Sequence, residues 1–164
     1  MGYKVKFEED FPWQSGGKLP GVIASDAFGG KEDLSSIRLM WREDGKLEFY
    51  IHTPHEDRTR LPFNNIDGNH AAAPDGEWMD VQIRVKLNTV QNGEPQANGA
   101  LEAWINNKRV ASYDDVKIRG SEDTNINSMF FSTFYGGSSG DGSTAWWPPR
   151  DSSAEFKDIT ISQP

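Results

Sequence analysis

Apolar and polar residues alternate along this chain almost from its first position. Tyr3, Val5 and Phe7 are separated by Lys4 and Lys6, and Val81, Ile83, Val85 and Leu87 by Gln82, Arg84 and Lys86. A period of two marks strands with one buried face. Further strands are predicted at LEAWI (101–105), at Arg109-Val110-Ala111 after an Asn-Asn-Lys turn, at MFFSTFYGG (129–137), and over 154–162. Between them lie WQSGGKLPGV (13–22), a polar segment (53–77), QNGEPQANG (91–99) and a glycine-rich run ending in AWWPP. Loops as long as 53–77 are frequently functional in compact domains. No window of 11 or more residues sustains a helical period. Short strands with turn chemistry between them predict an all-β fold, an antiparallel β-sandwich of the jelly-roll kind, in one domain over residues 1–164.

The clearest alternation is SSIRLMWREDGKLEFYIH, residues 35–52. Ile37, Leu39, Trp41, Leu47, Phe49 and Ile51 form one set; Ser36, Arg38, Tyr50 and His52 belong to the other. The turn decides which side chains meet. A two-residue loop, Asp44-Gly45, would oppose Arg38 to Ile51 and put apolar residues on both faces. A three-residue loop, Glu43-Asp44-Gly45, opposes Arg38 to Tyr50 and Ser36 to His52, with Gly45 in the left-handed position. A slip of one residue would move the whole apolar set to the wrong face, so burial selects the second register. Opposed Cβ atoms are about 4.5–5.5 Å apart, so the four polar side chains form one patch. By pattern alone, that patch is either the wet side of a sheet or a reaction site.

Composition narrows the classes. With nine Phe, six Trp and four Tyr in 164 residues, the chain can bury a core. Lys plus Arg is 17 and Asp plus Glu is 25, so 17 − 25 = −8. That balance argues against nucleic acid as a partner, although a local cleft can still be positive. The sequence has no Cys, which removes disulfide frameworks and thiolate metal sites. No apolar run approaches the roughly 18 residues of a membrane span, so no membrane partner is expected. The N-terminus carries no signal peptide and runs straight into a strand pattern, as a trimmed fragment or a truncated gene model would.

GGKLPGV (16–22), Ser-x-Arg (36–38), Tyr-x-His (50–52), FFSTFYGG (130–137) and AWWPPRDSSAEFKDITI (145–161) occur in that order. Together they resemble polysaccharide lyase family 14, alginate and glucuronan lyases with a β-jelly-roll, concanavalin-like fold, related to the fungal glucuronan lyases of family 20. The resemblance runs from about Tyr3 to Ser162. It implies a catalytic group of Lys18, Ser36, Arg38 and Tyr50. His52 stands where the family has a second tyrosine, a departure that leaves the substrate and the division of acid and base roles open. Family domains also carry more strands before the KLPG segment, so this chain is expected to lack N-terminal strands.

The reaction so implied is β-elimination at a 1,4-linked polyuronate. The C5 proton beside an ionised carboxylate is very weakly acidic, so that carboxylate needs a clamp. Arg38 offers a bidentate fork, Lys18 a point charge and Ser36 a hydroxyl. Tyr50 is expected to act as base, or as base and acid, once neighbouring cations favour the phenolate, with His52 assisting or replacing it. Tyr135, Trp146 and Trp147 are candidate substrate contacts; the tryptophans could equally plug a sandwich edge. His55 and His70 read as bystanders, and Asp57, Asp67 and Asp75 lack calcium-loop spacing. No metal or cofactor is expected. The expected partner is an anionic polysaccharide, met by a secreted monomer. A non-catalytic carbohydrate-binding sandwich and an inactive lyase fragment are the competing readings. A glycoside hydrolase would want two flanking carboxylates, and only Glu48 lies near the cluster.

Overall fold

The computed structural model describes residues 1–26, 33–64, 68–136 and 146–163. Asp67 and most of the glycine-rich run before Trp146 lie outside the described residues. Among the described residues, thirteen strands follow in order: β1 Gly2–Phe7, β2 Gly17–Ser25, β3 Ser35–Trp41, β4 Leu47–His52, β5 Arg60–Pro62, β6 Trp78–Lys86, β7 Val90–Gln91, β8 Glu94–Pro95, β9 Gly99–Ile105, β10 Lys108–Val116, β11 Asn125–Phe130, β12 Phe134–Tyr135 and β13 Ala154–Thr160. The back sheet has the order β10-β9-β6-β1-β13. The front sheet runs β11-β2-β3-β4-β5, with β12 also paired to β2. All the strand pairs are antiparallel. The predicted antiparallel sandwich is therefore the observed architecture.

The core lies between the sheets and is built from the alternating sets read in the sequence. The back sheet contributes Tyr3, Val5, Phe7, Met79, Val81, Ile83, Leu101 and Ala103. Leu19, Val22, Ile37, Leu39, Trp41, Leu47, Phe49 and Ile51 come from the front sheet. An aromatic knot closes one end, with Phe7, Phe11 and Trp13 packed on Trp41 at ring separations of 5.6, 5.7 and 6.4 Å. The Trp41 indole also donates to the Trp13 carbonyl at 3.1 Å, which anchors residues 11–13 without a strand.

The β3–β4 hairpin has the register expected from burial: Ser36 opposes His52, Arg38 opposes Tyr50, and Leu39 opposes Phe49. Its turn differs in detail, because Asp44 joins Gly45 in the left-handed region (φ 59° and 68°).

Three segments depart from the sequence reading. GGKLPGV is not a loop but the start of β2, an interior strand of the front sheet. It could pass for a turn because Pro20 and Gly21 sit at a bulge, where the register shifts between Leu19 and Val22. A proline within a sheet is tolerated at such a break, where its missing N–H costs no ladder bond. The extra residue also turns Leu19 and Val22 both inward while leaving Lys18 facing out. Only glycine fits at position 21, since a Cβ there would lie 2.0 Å from the Ile37 carbonyl oxygen. Within 53–77 the structure places β5, paired to β4, with Leu61 and Phe63 in the core. MFFSTFYGG divides into the end of β11 and the separate β12, so its alternation is interrupted at 131–133.

Candidate active site

The outward face of the front sheet collects what the inward face rejects. Arg38 and Ser36 on β3 stand beside Tyr50 and His52 on β4. Lys18 on β2 opposes Met40 on its other side, two residues along β3 from Arg38. Four of the five proposed catalytic residues were thus brought together by hairpin register alone. The fifth, Lys18, joins them through the bulge in β2.

Lys18 is buried, at 8% exposure. Its ammonium lies 3.6 Å from the centroid of the Tyr50 ring and donates to the Met40 sulfur at 2.7 Å. Neither partner carries a formal negative charge. Burial, reinforced by the Arg42 and Arg38 charges, pushes its pKa down to about 8, with Glu48 opposing. A cation on an aromatic face recovers part of what desolvation costs.

Arg38 is equally enclosed, at 6% exposure. One Nη2–H donates to the Ser132 carbonyl at 3.1 Å. The guanidinium lies over the Phe130 ring at 4.3 Å and near that of Phe134 at 5.4 Å. Its Nε–H is buried without a partner among the described residues. Burial pulls its pKa below the ordinary arginine value, and Tyr50 opposes the displacement. Within the described residues, neither Lys18 nor Arg38 has a carboxylate at salt-bridge distance. Two buried, uncompensated cations beside a tyrosine are costly for a folded chain and suited to an anionic ligand. Around them Ser36 and Tyr50 are half-buried and His52 is exposed, so the patch opens to solvent.

The aromatic candidates separate. Tyr135 is not on this face: it stacks on Phe11 at 5.5 Å, meets Trp41 edge-on at 5.5 Å, and hydrogen-bonds Ser152 at 2.9 Å. Strand alternation is the reason, because Tyr135 pairs with Gly17 while its neighbour Phe134 pairs with Lys18 and takes the outward side. Trp146 stands near Arg42, 5.8 Å from guanidinium carbon to ring centroid, and Trp147 is 72% exposed. Sequence reasoning missed Phe130, Phe134, Arg42 and Arg60. Arg42 has the same parity as Arg38 and could have been found. Arg60 could not be placed without β5.

His55 bonds Asp33, whose carboxylate also accepts the backbone N–H groups of Gly120 and Ser121 at 2.8 and 3.0 Å, a clasp between loops. Among the described residues, no group of three or more His, Asp or Glu side chains is arranged to hold a metal ion. A cavity of about 510 Å³ lies elsewhere, lined by Met1, Tyr3, Ile83, Val85, Trp104 and Ile126, and contains none of the candidate catalytic side chains. The cations that line it, Lys4 and Arg84, are already paired with Asp158 and Glu102, so the cationic face of the front sheet is the better site.

The polysaccharide lyase 14 profile matches residues 1–159. The chain belongs to the polysaccharide lyase 14 family. Its fold is similar to that of the marine alginate lyase from Aplysia kurodai, with a TM-score of 0.74 and 24% identity over 95% of this chain and 66% of that one. An alginate lyase from a Chlorella virus gives 0.71 and 23%, over 94% of this chain and 66% of that one. A substituted alginate lyase in complex with alginate trisaccharide gives 0.71 and 22%, over 96% and 66%. This family member therefore spans just under two thirds of the length of each of these structures. At such identities the likeness concerns the fold. No curated protein sequence matches the chain.

Proposed function

We propose that this polysaccharide lyase 14 chain cleaves a 1,4-linked polyuronate, alginate or glucuronan, by β-elimination. One observation carries the reading: two buried cations without carboxylate partners, Lys18 and Arg38, flank Tyr50 on an open face. That arrangement suits a substrate with a carboxylate beside the carbon to be deprotonated.

In this reading Arg38 takes the uronate carboxylate through its fork, with Ser36 adding a hydroxyl donor, and together they stabilise the charge that develops as C5 loses its proton. The C5–H electrons form the C4=C5 double bond, the C4–O bond breaks, and the leaving oxygen receives a proton. Tyr50 is the proton-transfer group, with the Lys18 ammonium over its ring and Arg38 opposite it on β3. His52 is the outer member, placed to assist or relay. Phe134 replaces Tyr135 as the aromatic contact of the cleft wall, and Trp146 and Trp147 border it. The chain acts outside the cell as a monomeric domain on a polymer.

A second division of labour is favoured by the Lys18 pKa of about 8. A lysine poised there can take the C5 proton as a free amine, leaving Tyr50 as the acid. The pH profile separates the two. If Lys18 works as a cation, kcat/KM falls as pH rises through about 8; if it works as the base, kcat/KM rises there.

The deciding experiment incubates the protein with alginate, glucuronan and mixed polyuronates and follows ultraviolet absorbance of the new C4=C5 bond. Growth of absorbance supports the lyase. Binding without growth supports a carbohydrate-binding sandwich, and the absence of both binding and growth supports an inactive fragment.

A further inference from the structure

Next to the catalytic candidates lies a second cationic element that the elimination chemistry does not use. Glu48, two residues before Tyr50 on β4, is 5% exposed. Its carboxylate accepts from Arg42 Nε at 2.7 Å, and from Arg60 Nε at 2.9 and 3.2 Å and Nη2 at 3.1 Å. Arg42 Nη2 lies 2.6 Å from the same carboxylate. One guanidinium would suffice to compensate one buried carboxylate. Two leave this cluster at 2 − 1 = +1, directly beside Lys18, whose pKa both arginines depress.

The geometry presents the surplus charge outward. Both arginines spend Nε and Nη2 on Glu48, and neither Nη1 has a partner among the described residues. Glu48 therefore works as a buried bracket that aims two guanidinium edges. The Arg60 side chain is 55% exposed, so its free edge is reachable. Arg42 is beside the ring of Trp146, and Trp147 next to it is 72% exposed. A cation beside an aromatic surface matches a sugar acid, which offers one carboxylate and a stackable ring.

We infer that Arg42, Arg60 and Trp146, held by Glu48, form a flanking subsite for the carboxylate of a uronate unit neighbouring the one that reacts. This rests on the polyuronate reading of the adjacent site. A polymer with a carboxylate on every unit has an anion to place there, and a substrate too short to reach it has none. The subsite therefore confers a preference for chain length.

The test compares wild type, R60Q and R60K on polyuronate oligomers from dimer to hexamer, by product absorbance and by calorimetric binding. Arg60 is exposed on the edge strand, so its variants should fold, which circular dichroism verifies. The expected result is a KM about tenfold higher for R60Q on the longer oligomers, with kcat within about twofold and little change on the shortest substrate. R60K should fall between, since it keeps the charge but loses the fork. An unchanged KM at every length overturns the subsite while leaving the lyase reading intact. A fall in kcat at constant KM also overturns it, because Arg60 would then act through Lys18. If wild type binds the oligomers without turnover, weaker binding by R60Q sustains the subsite and removes the lyase reading. Absence of binding by wild type overturns both.

Discussion

The two sheets of this sandwich share an alternating pattern and an antiparallel architecture, yet their outer faces differ in charge logic. On the back sheet the ion pairs are exposed. Lys4 pairs with Asp158, Lys6 with Glu155, and Arg84 and Arg109 share Glu102, with every one of these cations at least 33% exposed. On the front sheet Lys18, Arg38, Arg42 and Arg60 face one anion, Glu48, and Lys18 and Arg38 are almost fully enclosed. Counting those five side chains gives 4 − 1 = +3, in a chain whose net charge is −8. Exposed pairs of the first kind contribute little to stability. Buried, unmatched cations of the second kind cost stability, and a fold keeps such groups where function requires them. The same hydrophobic–polar alternation thus produces a solvated surface on one side and an enclosed cationic patch on the other.

Four measurements can break or sharpen that contrast. Replacing Tyr50 with Phe removes the proposed proton-transfer group and should lower kcat by roughly 10²–10⁴-fold, whereas His52→Ala should cost less. Activity that survives the first change and disappears with the second would move the chemistry to His52. Arg38→Ala should reduce kcat/KM by roughly 10²–10³-fold. Arg84→Ala, its counterpart on the back sheet, should leave turnover within about twofold; equal losses would erase the distinction between the faces.

Lys18→Met should abolish turnover and yet raise stability at neutral pH by about 2 kcal/mol, measured by urea unfolding. The sign follows from linkage. Unfolded, Lys18 keeps its proton up to about its ordinary value of 10.5; folded, it releases it at about 8. The penalty for burying the cation is therefore full below pH 8 and fades between 8 and 10.5, so the stability difference between variant and wild type should shrink across that window. A destabilised variant would mean that the Tyr50 and Met40 contacts outweigh desolvation. The smallest effect belongs to Lys6→Ala, which should shift stability by less than about 0.5 kcal/mol and vanish into the noise at high salt.

The parts that were legible share a cause. Register in the β3–β4 hairpin could be read because burial penalises a one-residue slip across the whole apolar set, and Arg38, Tyr50, Ser36 and His52 came with it. Lys18 was legible only through family resemblance, because Pro20 and Gly21 disguise an interior strand as a turn. Tyr135 went to the wrong face because the break at 131–133 cannot be seen in so apolar a run. Arg60 was hidden in a three-residue strand too short to show a period.

What the sequence determined by itself was local: which residues alternate, where turns fall, and therefore which side chains share a face of their own strand. Period-two geometry makes that a property of the backbone. The tertiary structure decided which faces meet. It set β2 beside β3 through a bulge that only glycine permits at position 21, laid Lys18 against the Tyr50 ring, and brought Arg60 across β4 to the carboxylate already held by Arg42. Those contacts join residues far apart in the chain, and their energies depend on burial, which no local pattern carries.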